Sequence, residues 1–298
     1  MSTIKNYLSL VKFSHTLFAL PFAMIGFFLG VYQWGLYTAF LPFPLSVLVL
    51  KFILVLICMI TARSAAMAFN RYLDRHFDAQ NPRTAIREIP RGILASASVL
   101  RFVIICCLVF MLACWFINPL CFFLSPVALF VILFYSYTKR FTALCHLVLG
   151  VGLSLAPIGA FLAVTGHFAL LPLLFSGAVI CWVAGFDIIY ALQDEEFDKS
   201  QQLYSIPASF GKKNALAVSS LLHVLSALFV LAAGIQGGFG YWYWLGMLLF
   251  AGMLVYQHAI VKPNDLSRVN LAFMTANGIA SVMFALFVIT DLIIMHKH

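Results

Sequence analysis

The sequence predicts an all-α integral membrane protein, a single domain over residues 1–298 that crosses the bilayer nine times. Three observations carry that prediction. Hydrophobic residues make up 63% of the chain and charged residues 9%, whereas a soluble domain carries about 25% charged residues. The apolar residues fall in runs of about 18 to 25, the length a helix needs to cross a bilayer and longer than a barrel strand. Basic residues gather on one side of those runs, as the positive-inside bias requires.

In order, the predicted spans are residues 13–32, 46–70, 96–117, 120–137, 144–165, 170–192, 214–235, 239–261 and 269–294. The first follows Lys5 and Lys12, is too long for a signal-peptide core and lacks a small-x-small cleavage site, so it reads as a retained span. Pro21, Pro126 and Pro157 fall inside spans, where proline kinks a helix beside neighbouring helices or a cavity. Gly150, Gly152, Gly159 and Ala160 allow close helix contact in the fifth span. Outward connections are brief (Asn118-Pro119, Gly166-His167). The inward ones, about 71–95 and 193–213, are long and polar, as expected of two cytoplasmic loops capping a central cavity.

Orientation follows from the 18 lysines and arginines. With the N-terminus in the cytoplasm, all but Lys51 and Lys297 lie on the cytoplasmic side or its helix ends. That basic face suits anionic membrane lipid and calls for no nucleic acid. The seven cysteines lie in apolar runs without a C-x-x-C pair, and the seven-residue spacing of Cys107, Cys114 and Cys121 reads as packing on one helix face. His15, His146, His223 and His258 have no H-x-x-x-H partner and read as packed or hydrogen-bonded; His76 should point to solvent.

The acidic residues are the informative ones. Eight of ten occupy two windows, Asp74, Asp78 and Glu88, then Asp187, Asp194, Glu195, Glu196 and Asp198. Asn70, Asp74 and Asp78 recur every fourth position and share one helix face. After 120 residues the spacing returns as Tyr190, Asp194 and Asp198. Both sets end even-numbered spans that run in the same direction, the pattern of a parallel internal duplication, although the halves otherwise show little similarity.

Hard cations such as Mg²⁺ take carboxylate and amide oxygens and bridge them to phosphates. Asn70, Asp74 and Asp78 offer three such ligands, and Asp194 and Asp198 two more. A single carboxylate pair reads equally well as solvated acids paired with Arg71, Arg75 or Lys199; two pairs in matching register favour a metal site. The surrounding Arg83, Arg87, Arg91, Lys139, Arg140, Lys212 and Lys213 suit either lipid anchoring or diphosphate binding. Arg63 and Lys12 stand out from the loop arginines, because a charge on an apolar helix needs a reason.

The blocks N-R-Y-L-D-R-H-F-D-A-Q-N-P-R-T-A-I-R-E-I-P-R-G, Y-S-Y-T-K-R, F-D-I-I-Y-A-L-Q-D-E-E-F-D and Y-S-I-P-A-S-F-G resemble the UbiA family of intramembrane aromatic prenyltransferases, in its 4-hydroxybenzoate polyprenyltransferase-like branch. The resemblance runs from about Lys5 to Lys213. Arg71 departs from it, standing where the family commonly has an acid, and Tyr190 stands where other branches have Asp. The resemblance implies transfer of a polyprenyl group from polyprenyl diphosphate to an aromatic acid acceptor in respiratory quinone synthesis, in a bacterial inner membrane with the site facing the cytoplasm. It implies Asn70, Asp74, Asp78, Asp194 and Asp198 as ligands of two Mg²⁺ ions bound with diphosphate. Lys139 and Arg140 would contact diphosphate or the acceptor carboxylate, Tyr190 the acceptor or the allylic cation, Arg63 and Lys12 the diphosphate, and Asp187 would support the ligands.

Three alternatives stand beside this reading. A dihydroxynaphthoate acceptor would serve menaquinone instead. An ion or phosphate transporter would suit nine spans, but no carboxylate sits mid-span where alternating access needs one. A lipid phosphotransferase would show a D-G-x-x-A-R signature, which is absent.

Overall fold

A computed structural model describes residues 3–11, 18–38 and 44–295; Lys12, His15 and Lys297 lie outside the described residues. Helices occupy nearly all of it: α1 Thr3–Leu10, α2 Leu20–Thr38, α3 Leu45–Leu73, α4 Arg75–Gln80, α5 Ser96–Ile117, α6 Pro119–Thr138, α7 Cys145–Thr165, α8 Leu170–Ala191, α9 Glu195–Ser200, α10 Ile206–Gly237, α11 Tyr241–Ile260 and α12 Asn277–Met295. A 3₁₀ turn, Leu192–Asp194, joins α8 to α9, and a π-turn, Leu271–Ala276, leads into α12. Eight of the described helices are long and apolar enough to cross a membrane, and Leu20–Gln33 within α2 is a shorter apolar helix.

Local chemistry sets the helix ends. Asn118 caps α6 by accepting from the Cys121 backbone N–H at 2.8 Å, with Pro119 next to it. Ser205 caps α10 in the same way, and Gly211 (φ 77°, ψ 163°) then divides α10 into a short opening turn and the long span. Gly166 ends α7 in the left-handed conformation.

The most buried span is α8, which packs between α7 and α10; α2 packs against α7 and α12, and α3 against α5. The core between them is aromatic, with Phe22 and Trp182 rings 5.3 Å apart and Phe250 and Phe284 also 5.3 Å apart. Gly150 permits the α7–α8 approach, since a Cβ there would lie 2.5 Å from the Ile180 carbonyl oxygen. Asn277 accepts from Trp182 Nε1 and Gln257 Nε2 and donates to the Phe273 carbonyl at 3.1 Å, satisfying backbone that the π-turn frees.

Several expectations need correction. Pro21 lies in the first turn of α2, where its missing N–H costs nothing, rather than in a span interior. Cys121 belongs to α6 while Cys107 and Cys114 belong to α5, so their spacing crosses a turn instead of marking one face. Gly152 and Gly159 line a cavity and make no helix contact of the kind Gly150 makes. The second inward loop is short, because α9 and the start of α10 occupy most of 193–213. His76 is exposed, as expected.

Two charges remote from the acidic motifs, Lys51 and Asp291, also have structural reasons. Lys51 Nζ donates to the carbonyls of Ala163 (2.7 Å) and Ile117 (3.3 Å) near the C-terminal ends of α7 and α5. Asp291 accepts from the Gly240 backbone N–H at 2.7 Å, capping the start of α11.

Candidate active site

Both acidic motifs are built on the same local break. At Asp74 (φ −88°, ψ 6°) α3 gives way to the six-residue α4, and at Asp194 (φ −104°, ψ 3°) the 3₁₀ turn after α8 gives way to the six-residue α9. The first break bends the chain without losing its face. Asp74 N still donates to Asn70 O (2.9 Å) and Asp78 N to Asp74 O (2.8 Å), and Asn70 Nδ2 donates to Asp74 Oδ2 at 3.1 Å.

The two motifs meet. Asn70, Asp74, Asp78, Tyr190, Asp194 and Asp198 line one cavity of about 210 Å³, together with Lys139, Arg83, Arg87, His146 and Asp187. Each of the four motif carboxylates faces a cation. Arg140 Nη2 lies 2.8 Å from Asp74, Arg87 Nη1 2.6 Å from Asp78, and Lys139 Nζ 2.7 Å from Asp198. Arg83 grips Asp194 through Nη2 and through Nε, the latter at 3.0 Å. Lys139 and Arg140, adjacent in sequence, therefore divide between the motifs.

The partners differ from those considered from sequence. Lys199 pairs with Glu195 at 2.6 Å and Arg75 donates to the Tyr72 carbonyl, so neither neutralises a motif aspartate. Arg71 is buried and does not line the cavity. Arg83 and Arg87, ranked below Arg63 and Lys12 by their place in a loop, are the ones brought to the motifs. The loop folds back across the site, and Asn81 Nδ2 also donates to Asp194 at 3.2 Å. Spacing gave no sign of this, because the contact spans more than a hundred residues.

Tyr190 is held from both sides. Its hydroxyl accepts from Arg83 Nη1 at 2.8 Å, and its ring packs on Phe273 with centroids 4.2 Å apart. The Arg83 guanidinium also lies 5.2 Å from the ring centroid.

Electrostatics outside the spans reflect this pairing. Burial pushes the Asp74 carboxyl above its ordinary range, against the pull of Arg140. Burial opposes the Lys139 and Arg83 charges, yet the neighbouring carboxylates hold both pKa values above normal, Asp198 acting on Lys139 and Asp194 on Arg83.

Arg63 lies elsewhere, in a second and apolar cavity of about 310 Å³ lined by α3, α5, α6 and α7. Its Nε is buried without a hydrogen-bond acceptor. Tyr135 and Leu149 line both cavities and mark where they adjoin.

Among the described residues no three His, Cys, Asp or Glu side chains are grouped to hold an ion as they stand. The donor set is nonetheless the hard-oxygen set that Mg²⁺ takes. Asp78 Oδ2 is buried with no partner, which leaves a lone pair for a cation. The residues fit magnesium if their paired arginines and lysine turn to phosphate.

The chain is similar to known prenyltransferases. The profile of the UbiA prenyltransferase family matches residues 34–285. The chain is 30% identical over 252 residues to a 4-hydroxybenzoate octaprenyltransferase of Nitrosospira multiformis, covering 85% of this chain and 86% of the relative. It is 30% identical over 256 residues to that of Aromatoleum aromaticum, with 86% of each covered. A UbiA homologue from Aeropyrum pernix K1 superposes with TM-score 0.77 at 30% identity, over 95% of this chain and 98% of the other. A UbiA homologue from Archaeoglobus fulgidus bound to DMAPP and Mg²⁺ shares the fold at TM-score 0.68 and 19% identity, over 97% and 99%.

Proposed function

The chain belongs to the UbiA prenyltransferase family, and from that premise we propose that it transfers a polyprenyl group from polyprenyl diphosphate to the ring of 4-hydroxybenzoate. The observation that carries this reading is the junction of an acidic, cation-studded cavity with an apolar one. A diphosphate fits the first and an isoprenoid tail the second.

Magnesium diphosphate presents both signs of charge. Each carboxylate can exchange a side-chain cation for metal, and each cation a carboxylate for phosphate oxygen, so loading trades one set of ion pairs for another. Asn70, Asp74, Asp78, Asp194 and Asp198 would hold two Mg²⁺ ions, which supply electrostatic stabilisation to the departing diphosphate when bound. Arg83, Arg87, Lys139 and Arg140 then bind phosphate oxygens, the arginines by forked hydrogen bonds. Tyr190, backed by Phe273, offers its π face to the allylic cation. Arg63, whose buried Nε has no acceptor, is a cation in apolar surroundings, the setting in which the acceptor's carboxylate is the natural counter-charge; that replaces Lys139 and Arg140 in this role and removes Arg63 from the diphosphate. The cavity under the 81–95 loop keeps water from the cation.

In this reading residues 1–298 form one domain with nine spans, α2 being the first. The N-terminus and site face the cytoplasm of a bacterial inner membrane, amid lipid and with no nucleic acid partner. The matched breaks at Asp74 and Asp194 support a parallel duplication. The test is to supply purified protein with polyprenyl diphosphates of graded length, Mg²⁺, and either 4-hydroxybenzoate or dihydroxynaphthoate. Prenylated hydroxybenzoate that disappears with a chelator is expected. Product from the naphthoate alone would overturn the acceptor, and no product from either would overturn the reaction.

A further inference from the structure

Five carboxylates line the acidic cavity, and four are paired with arginine or lysine. The fifth, Asp187, is paired with a histidine. Its Oδ2 lies 2.7 Å from His146 Nδ1, and the Ile206 backbone N–H donates to His146 Nε2 at 3.3 Å. The Ile206 N–H points at Nε2, so Nδ1 is the ring nitrogen that donates to Asp187. His146 is buried, whereas the Asp187 side chain is 26% exposed, in the cavity and three residues before Tyr190 on α8.

We propose that Asp187 is the catalytic base of ring substitution, with His146 as its positioning residue; this inference rests on the reaction proposed above. The prenyl C1–O bond breaks with its electron pair leaving on diphosphate. A ring π pair then forms the new C–C bond, leaving an arenium cation. The ring C–H proton passes to an Asp187 oxygen, and the C–H pair restores aromaticity. The other four cavity carboxylates are each paired with an arginine or lysine, and those four are the proposed metal ligands. Asp187 is held instead by the His146 N–H, and that bond aims its carboxylate in the cavity.

The test uses the full chain with 4-hydroxybenzoate carrying hydrogen or deuterium at the ring positions ortho to the hydroxyl. Wild type should turn over both at the same kcat, proton loss being fast. Asp187→Asn should lower kcat by about 10²-fold or more, the usual contribution of a positioned base, and should show slower turnover of the deuterated acceptor. His146→Ala should show the same isotope effect in weaker form, and His146→Gln, which keeps an N–H donor, should recover most of the rate. Binding of polyprenyl diphosphate to each variant reports folding; if Asp187→Asn does not bind, Asp187→Glu carries the test and should restore catalysis without an isotope effect. Unchanged kcat in Asp187→Asn, or a slow variant indifferent to deuterium, overturns the inference. Absence of wild-type turnover overturns the underlying reaction instead.

Discussion

Arg83 stands in the loop that follows the first acidic motif, yet its guanidinium grips Asp194 of the second, Nε lying 3.0 Å from Oδ1. The same side chain donates to the Tyr190 hydroxyl at 2.8 Å. One arginine thus joins the loop over the cavity, a metal-ligand candidate and an aromatic wall.

Replacing Arg83 by lysine keeps the charge but loses the fork and the tyrosine contact. Hydrogen bonds to charged groups are worth about 1.5–3 kcal/mol, about 10- to 150-fold in an equilibrium. Arg83→Lys should therefore lower kcat/KM for polyprenyl diphosphate by a factor in that range, and Arg83→Ala by at least as much. Steady-state kinetics with the diphosphate varied would check both.

Lys139 and Arg140 divide between the motifs, one on Asp198 and the other on Asp74. If both turn to phosphate on loading, Lys139→Met and Arg140→Met should each weaken competition by inorganic pyrophosphate by about 10-fold or more. Competition that stays at wild-type strength in both variants would leave them as structural counter-ions.

Gly152 and Gly159 line the apolar cavity, and a Cβ at Gly159 meets nothing within 4 Å. Gly152 lies closer along α7 to the junction at Leu149. Gly159→Phe should therefore shift preference towards shorter prenyl diphosphates while sparing short ones, and Gly152→Phe should shorten the limit further. Product analysis with graded chain lengths reads both effects.

Lys51 donates to two carbonyls at the far end of the bundle from the acidic site. Lys51→Met removes both bonds, leaving Ala163 O only the 3.5 Å contact from Asn118 Nδ2, at a cost of about 1–3 kcal/mol. The thermal midpoint of the solubilised protein should fall, while kcat at low temperature stays near wild type.

The helical spans were readable from the chain, because hydrophobic run length is a one-dimensional signal. The fourth-position spacing of Asn70, Asp74 and Asp78, and its return at Asp194 and Asp198, pointed to the residues that line the acidic cavity for the same reason. What could not be read were contacts across long loops. Arg83 and Arg87 looked like anchoring charges until the loop folded back, and Arg63 belonged to a different cavity from the one its position suggested. His146 and Asp187 are 41 residues apart, so only packing of α7 on α8 reveals them as a pair.

In the proposed function two distant motifs act as one magnesium–diphosphate site. The most direct measurement is Mg²⁺-dependent binding of polyprenyl diphosphate, with turnover, in Asp74→Ala, Asp194→Ala and the double variant. Both singles should express normally, lose turnover and fall to the same weak binding as the double, because either loss dismantles the shared site. Full activity in either single variant, or losses in binding free energy that simply add in the double, would contradict a shared site.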